Sequence, residues 1–188
     1  MEMKIGFSGY HASGKTTAAH EIVAQIKRSL CTCSLVTGAA RSSRRLAAGD
    51  LGVDMHLEII GLQLVLELRA SQNSTHVVCD RTMLDYLAYG ECRNLASSEL
   101  GELFSSAKEF CRSYLRSFDA IFIVDGSFGN VDFDEARVVN DVLEAEFMMS
   151  LNRLVEEFGI QELVHVSPAD ELSSRVSAWV QKRFEAAN

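Results

Sequence analysis

The most constraining feature of this 188-residue chain is a glycine-rich run at residues 9–16. It reads Gly-Tyr-His-Ala-Ser-Gly-Lys-Thr and fits the spacing G-x-x-x-x-G-K-[ST] of a phosphate-binding loop. The short apolar stretch 4–8 before it predicts a buried strand, and the amphipathic stretch 16–30 after it predicts a helix. A strand–loop–helix unit of this kind predicts an α/β protein that binds the phosphates of a nucleotide.

Each residue type in the run has a physical reason to be there. Gly9 and Gly14 permit a close backbone approach that turns successive N–H groups toward phosphate oxygens, and the helix after them adds its positive dipole end. Lys15 is expected to reach the β- and γ-phosphates, and the Thr16 hydroxyl is expected to bind Mg²⁺. The other residues predicted to line the nucleotide site are His11, Ala12, Ser13 and Thr17.

Short apolar runs alternate with amphipathic stretches along the rest of the chain. Further strands are predicted at 34–38, 75–80, 120–125 and 163–166, and further helices at 54–71, 82–92, 98–117, 135–158 and 169–187. This alternation predicts a five-stranded parallel sheet with helices on both faces, in a single domain over residues 1–188. The apolar stripe at 55–68 is broad enough to be either core or the seam of a homodimer.

The third predicted strand ends in Asp80, which is followed by Arg81. Ligands of open α/β sheets bind beyond the carboxyl ends of the strands, so we expect Asp80 to face the phosphate loop if the two strands are neighbours. A carboxylate there can hold Mg²⁺ or take a proton from an attacking hydroxyl, and Arg81 can bind a phosphate or a substrate anion. The alternative is that Asp80 caps the next helix and pairs with Arg81 at the surface.

The net charge of −8 opposes broad, sequence-independent binding of nucleic acids. Residues 1–49 nevertheless carry seven Lys and Arg against two acidic residues, which suits an anionic ligand. Arg41, Arg44 and Arg45 follow the second predicted strand. They are equally compatible with binding an acceptor phosphate or a nucleic-acid backbone and with a solvated basic turn.

Two segments together resemble a known family. Residues 7–17 read F-S-G-Y-H-A-S-G-K-T-T, and residues 79–89 read C-D-R-T-M-L-D-Y-L-A-Y. They are similar to the P-loop AAA-type ATPase and kinase family related to the nicotinamide riboside kinase domain, and more distantly to thymidylate and deoxynucleoside kinases. This resemblance implies a three-layer P-loop NTPase sandwich with strand order 2-3-1-4-5, and phosphoryl transfer from ATP with Mg²⁺.

The resemblance also implies roles for single residues. Thr16 and Asp80 would hold the metal, and Lys15, Asp80, Arg81 and Arg137 would be catalytic. The acceptor would lie near Gln63, Arg81 and Asp85. Arg41 is a further candidate for the acceptor site, from its place after the second strand and not from the resemblance. Arg137 would belong to a lid at residues 126–140; the alternative is that it pairs with a neighbouring acid on a helix surface.

Taken together, these features predict an ATP-dependent phosphotransferase whose acceptor is a nucleoside, a nucleotide or a similar small molecule. Two alternatives stay open: a kinase acting on a modified base in DNA, like viral hydroxymethyluracil-DNA kinases, and an acceptor-free ATPase or NTP switch. No apolar run approaches the roughly 20 residues that span a bilayer, and the first residues lack the pattern of a signal peptide. We therefore expect a cytoplasmic protein, or one of the host cytoplasm if it is viral.

Overall fold

The computed structural model describes residues 2–125, 141–160, 163–166 and 171–186. The predicted lid at 126–140, with Arg137, lies outside the described residues.

A parallel sheet forms the centre of the fold. Its strands are β1 (Met3–Gly9), β2 (Cys33–Val36), β3 (His76–Cys79), β4 (Ala120–Val124) and β5 (Leu163–Val166), in the order β2-β3-β1-β4-β5. β1 pairs with β3 on one side and with β4 on the other. The predicted α/β class is confirmed. The phosphate loop follows the central strand β1, next to the end of β3.

The described helices are α1 (Lys15–Arg28), α2 (Arg44–Ala47), α3 (Val53–Asn73), α4 (Met83–Cys92), α5 (Gly101–Tyr114), α6 (Asp141–Phe158) and α7 (Glu171–Ala186). The sequence did not predict α2, because four residues are too few to show a helical period. The N-cap residue of α3 is Gly52, so the helix begins just before the predicted start at residue 54, and Asp54 lies in the first turn of the helix. None of the helices in the described part of the chain is long and apolar enough to cross a membrane.

The alternating side chains of β4 separate two hydrophobic layers. Ile121 and Ile123 pack with residues of α3, α4, α5 and α6 on one face of the sheet. Phe122 and Val124 pack with residues of α1 and α7 on the other face. Helices therefore cover both faces, as the predicted three-layer sandwich requires.

The apolar stripe of α3 belongs mainly to the core. Met55, Ile59 and Ile60 are buried in the layer that contains Ile121. Leu57, Leu62, Leu64 and Leu66 are partly buried against the same layer. Val65 and Leu68 stay exposed on α3, and the described residues give no support to a homodimer.

Candidate active site

The phosphate loop has the strained backbone that its glycines allow. Gly9 has φ +149°, and a Cβ there would lie 2.5 Å from the Val124 carbonyl oxygen. Gly14, with φ +83°, precedes the first residue of α1. The N-terminus of α1 has neither a side-chain cap nor an acidic residue in its first turn. The N–H groups at this helix end and the helix dipole are therefore available to bind an anion.

Lys15 is buried against the loop, with 4% of its surface exposed. Its ammonium donates to the Tyr10 carbonyl oxygen and, at 2.6 Å, to the Ser13 hydroxyl oxygen. The Ser13 hydroxyl in turn donates to the Tyr10 carbonyl oxygen at 2.9 Å. The loop thus holds the lysine charge beside the cleft that Lys15 lines.

Asp80 faces the start of α1, as the sequence predicts for neighbouring strands. The Thr16 hydroxyl lies 2.9 and 3.0 Å from the two oxygens of the Asp80 carboxylate. The Thr37 hydroxyl, just beyond β2, donates to the same carboxylate at 2.9 Å. The cap of α4 is Thr82, whose hydroxyl accepts from the Leu84 N–H. The structure therefore does not support the alternative in which Asp80 caps this helix.

The oxygen atoms of Thr16 and Asp80 suit Mg²⁺. Mg²⁺ prefers hard oxygen ligands and commonly takes one or two carboxylates while substrate phosphates and waters complete its shell. Among the described residues, no group of three or more His, Cys, Asp or Glu side chains forms a metal site of its own. One carboxylate beside a threonine hydroxyl at a phosphate loop agrees with a Mg²⁺ site that is completed by the phosphates of the bound nucleotide.

Arg81 and Asp85 form a closed ring of bonds with the first glycine of the loop. Arg81 donates to Asp85 at 3.0 Å and to the Gly9 carbonyl oxygen at 3.3 Å. The Gly9 N–H donates to the other Asp85 oxygen at 2.9 Å. Burial raises the pKa of the Asp85 carboxyl, and the Arg81 guanidinium opposes that rise.

Two of the predicted site residues lie beneath the cleft instead of facing it. Asp85 is completely buried, and both of its carboxylate oxygens accept hydrogen bonds. It is therefore placed to support the loop, whereas the sequence predicts that it contacts the acceptor. The N–H of Gly9 points to Asp85 and not to the nucleotide side of the loop. The reason is that the first turn of α4 packs under the loop, which the sequence alone does not reveal.

Gln63 lines the cleft, but its amide is bound on every side. Its Nε2 donates to Glu67 at 2.8 Å and to the Arg81 carbonyl oxygen at 2.9 Å, while its Oε1 accepts from the Tyr86 hydroxyl. The buried Glu67 is also 2.7 Å from the ammonium of Lys4 in β1. Gln63 therefore ties the backbone of Arg81 to an ion pair in the core.

The cleft has a volume of about 880 Å³ and continues from the loop into a groove between α3 and α4. The groove is lined by His56 of α3, by Tyr86 and Tyr89 of α4, and by Arg93, which directly follows α4. The sequence analysis missed all four. Tyr86, Tyr89 and Arg93 recur at the helical spacing i, i+3 and i+7 after the Asp80–Arg81 pair, which is the one signal that points to them.

The basic cluster after β2 does not form a uniform surface. Arg41 lines the cleft, while Arg45 forms ion pairs with Asp50 at 3.0 Å and Asp54 at 3.5 Å. Arg44 is exposed on α2. Only one of these three arginines therefore lines the cleft, and the described residues give no support to an extended DNA-binding surface.

The structure brings most of the predicted site residues to one cleft. The predicted residues that line this cleft are His11, Ala12, Ser13, Gly14, Lys15, Thr16, Thr17, Arg41, Gln63, Asp80 and Arg81.

Solved structures with this fold were found, although no protein-family model and no curated protein matches the sequence. The NadR protein in complex with NAD and AMP-PNP superposes with a TM-score of 0.68 at 18% identity, over 96% of this chain and 49% of NadR. Deoxyadenosine kinase from M. mycoides, with products dCMP and a flexible dCDP bound, gives a TM-score of 0.71 at 13% identity, over 98% of this chain and 100% of that kinase.

Thymidylate kinase from Candida albicans is a third match, with a TM-score of 0.66 at 14% identity over 99% of this chain and 92% of that kinase. The chain has the fold of the P-loop nucleoside and nucleotide kinases. It spans about half the length of NadR. At these identities the P-loop kinase likeness establishes the fold, and the roles of single residues rest on the geometry of the cleft.

Proposed function

We propose that this protein is an ATP-dependent phosphotransferase that moves the γ-phosphoryl group to a hydroxyl or phosphate of a nucleoside- or nucleotide-like small molecule. The observation that carries the proposal is the continuous cleft from the phosphate loop, past Asp80 and Arg81, into the groove between α3 and α4. Its volume of about 880 Å³ leaves room for an acceptor beside the triphosphate. The AMP-PNP bound to NadR supports ATP as the donor.

In this proposal the loop holds the triphosphate. The N–H groups of residues 11–16 bind the phosphate oxygens, and Lys15 exchanges its bonds to the loop for bonds to the β- and γ-phosphates. The exchange starts from an ammonium that is already held at the loop, on a residue that lines the cleft.

Thr16 and Asp80 hold Mg²⁺ in the same proposal. The ion, when bound, neutralises charge that develops on the phosphate oxygens during transfer. Thr37 fixes the orientation of the Asp80 carboxylate by donating to one of its oxygens, as outer-shell partners of metal ligands do.

The reaction itself forms one bond and breaks another. An oxygen of the acceptor attacks the γ-phosphorus, the bond between that phosphorus and the β,γ-bridging oxygen breaks, and ADP leaves. Asp80 is the candidate base for the proton of an acceptor hydroxyl, and Arg81 stabilises charge on the transferring group. We further propose that residues 126–140 form a lid and that Arg137 of this lid also stabilises charge on the transferring group. We also propose that Arg41 and Gln63 lie beside the acceptor.

A screen of phosphate transfer tests this function. The protein is incubated with ATP labelled at the γ-phosphate, Mg²⁺ and single acceptors: nucleosides, nucleoside monophosphates, pyridine nucleosides and DNA that contains hydroxymethyluracil. The proposal expects label on at least one small acceptor. Label on DNA alone would replace the small-molecule acceptor with a polynucleotide, and release of phosphate without any labelled acceptor would favour an ATPase.

A further inference from the structure

The groove between α3 and α4 ends in two side chains with opposite hydrogen-bonding character. His56 is 2% exposed, and its Nδ1 lies 2.9 Å from the Tyr86 carbonyl oxygen. A carbonyl oxygen only accepts, so Nδ1 carries the proton and Nε2 presents a lone pair. Arg93 Nη1 lies 3.5 Å from this Nε2, and both residues line the cleft.

His56 stays neutral in this position. Burial and, to a lesser extent, the positive charge of Arg93 lower the pKa of the imidazole to about 4, while the bond to Tyr86 and the more distant Asp50 act in the opposite direction. The ring of Phe104 packs edge-on against it and supplies no charge. His56 is therefore a hydrogen-bond acceptor at neutral pH.

Arg93 retains donors for a ligand. Its contact with His56, at 3.5 Å, is at the long limit of a hydrogen bond, so it costs little to replace. Its guanidinium carbon lies 6.0 Å from the centre of the Tyr89 ring, which supports the planar group from one side. In the part of the chain that the structure describes, no carboxylate lies within ion-pair distance of Arg93.

The distance from this pair to the reaction centre suits a nucleoside. His56 and Gln63 are seven residues apart on α3, which corresponds to about 10 Å along a helix. Gln63 is bonded to the carbonyl oxygen of Arg81, beside Asp80. An acceptor with its reacting oxygen near Asp80 would therefore place a ring about one nucleoside length away, next to His56 and Arg93.

This inference rests on the function proposed above and names the class of its acceptor. We propose that His56 and Arg93 read the edge of an acceptor ring that carries a carbonyl oxygen beside an N–H, as in a pyrimidine imide or a carboxamide. Arg93 donates to the carbonyl oxygen, and the lone pair of His56 accepts from the N–H. A carboxylate would satisfy Arg93 but repel the lone pair, and an ammonium would satisfy His56 but repel the guanidinium.

The test compares matched ligands by equilibrium binding in the presence of AMP-PNP and Mg²⁺. One arm uses uridine against N3-methyluridine, which lacks the N–H, and the other uses nicotinamide riboside against nicotinic acid riboside. We expect one of the two arms to show binding that weakens about 10- to 100-fold in the modified ligand, which is the value of a hydrogen bond to a charged or buried partner. The arm that responds distinguishes the imide from the carboxamide.

Two variants tie this discrimination to the pair. His56→Asn keeps an N–H near the Tyr86 carbonyl oxygen but removes the Nε2 acceptor. Arg93→Met keeps an unbranched apolar stem but removes the donors. Both should reduce the discrimination between matched ligands to within about threefold, while Arg69→Met, an exposed change on the same helix α3, should leave it intact. Circular dichroism checks the fold, and the exposed position of Arg93 keeps the test valid if His56→Asn is unstable.

Three results would overturn the inference: neither parent ligand binds, the matched ligands bind equally, or Arg93→Met retains the discrimination of the wild type. The predicted discrimination without any phosphate transfer would leave the inference standing and overturn the proposed kinase function. The two proposals therefore fail in distinguishable ways.

Discussion

The carboxylate of Asp85 accepts a hydrogen bond of 2.9 Å from the backbone N–H of Gly9, across the boundary between α4 and the phosphate loop. Arg81 closes the ring by donating to both Asp85 and the Gly9 carbonyl oxygen. The segment 79–89 therefore supports the phosphate loop at residues 9–16 by direct hydrogen bonds. The position of Arg81 in the cleft and the shape of the loop depend on the same buried carboxylate.

Asp85→Asn should affect both stability and turnover. The amide retains an acceptor for the Gly9 N–H but removes the negative charge that Arg81 needs, and breaking such a pair costs about 3 kcal/mol. Urea unfolding measures the loss, and the double variant Arg81→Met with Asp85→Leu should recover part of it without recovering phosphate transfer. A fully stable and active Asp85→Asn would show that the ring does not support the loop.

Asp80→Asn should lower phosphate transfer by at least about 10²-fold and raise the Mg²⁺ concentration that gives half-maximal rate. Thr37→Val removes only the bond that orients the carboxylate, so its effect on metal affinity should be smaller, about 10-fold. Rates measured across a Mg²⁺ titration separate the two. Turnover of Asp80→Asn within threefold of the wild type would remove Asp80 from the metal site.

Glu67→Ala should destabilise the protein by about 3–5 kcal/mol, because it leaves the Lys4 ammonium without its buried partner. Lys4→Met with Glu67→Leu should be less destabilised than the single variant, since no charge remains unpaired. Glu109→Ala is the matched control: its carboxylate lies 3.8 Å from Arg112 at the surface, and its loss should cost less than about 1 kcal/mol. Equal unfolding free energies for the Glu67 and Glu109 variants would contradict this account.

The lowered pKa of His56 predicts a dependence of stability on pH. The unfolded chain binds a proton at the ordinary histidine pKa of about 6.5, whereas the folded protein binds it only near pH 4. Stability is therefore retained above pH 6.5 and lost as the pH falls toward 4, by up to about 3 kcal/mol. His56→Gln, which does not titrate, should show a shallower loss between pH 7 and 4.5 in urea unfolding, and parallel curves would contradict the assignment.

The sequence predicted those parts of the site that depend on local pattern. The loop, the helix after it and Asp80 at a strand end were predictable, because strand ends in a parallel sheet meet at one edge. The placement of Asp85 was not, because the sequence does not say which face of α4 packs under the loop. His56 and Arg93 meet only through the packing of α3 on α4, across 37 residues of sequence.

The most direct measurement compares ADP formation and acceptor phosphorylation by the wild type, Lys15→Ala and Lys27→Ala. Lys15 lines the cleft beside the loop, whereas Lys27 is exposed in the last turn of the same helix α1. The account predicts that Lys15→Ala stays folded and loses at least about 10²-fold in acceptor-dependent turnover, while Lys27→Ala matches the wild type. Wild-type turnover by a folded Lys15→Ala would contradict the assignment of the loop as the site of phosphate transfer.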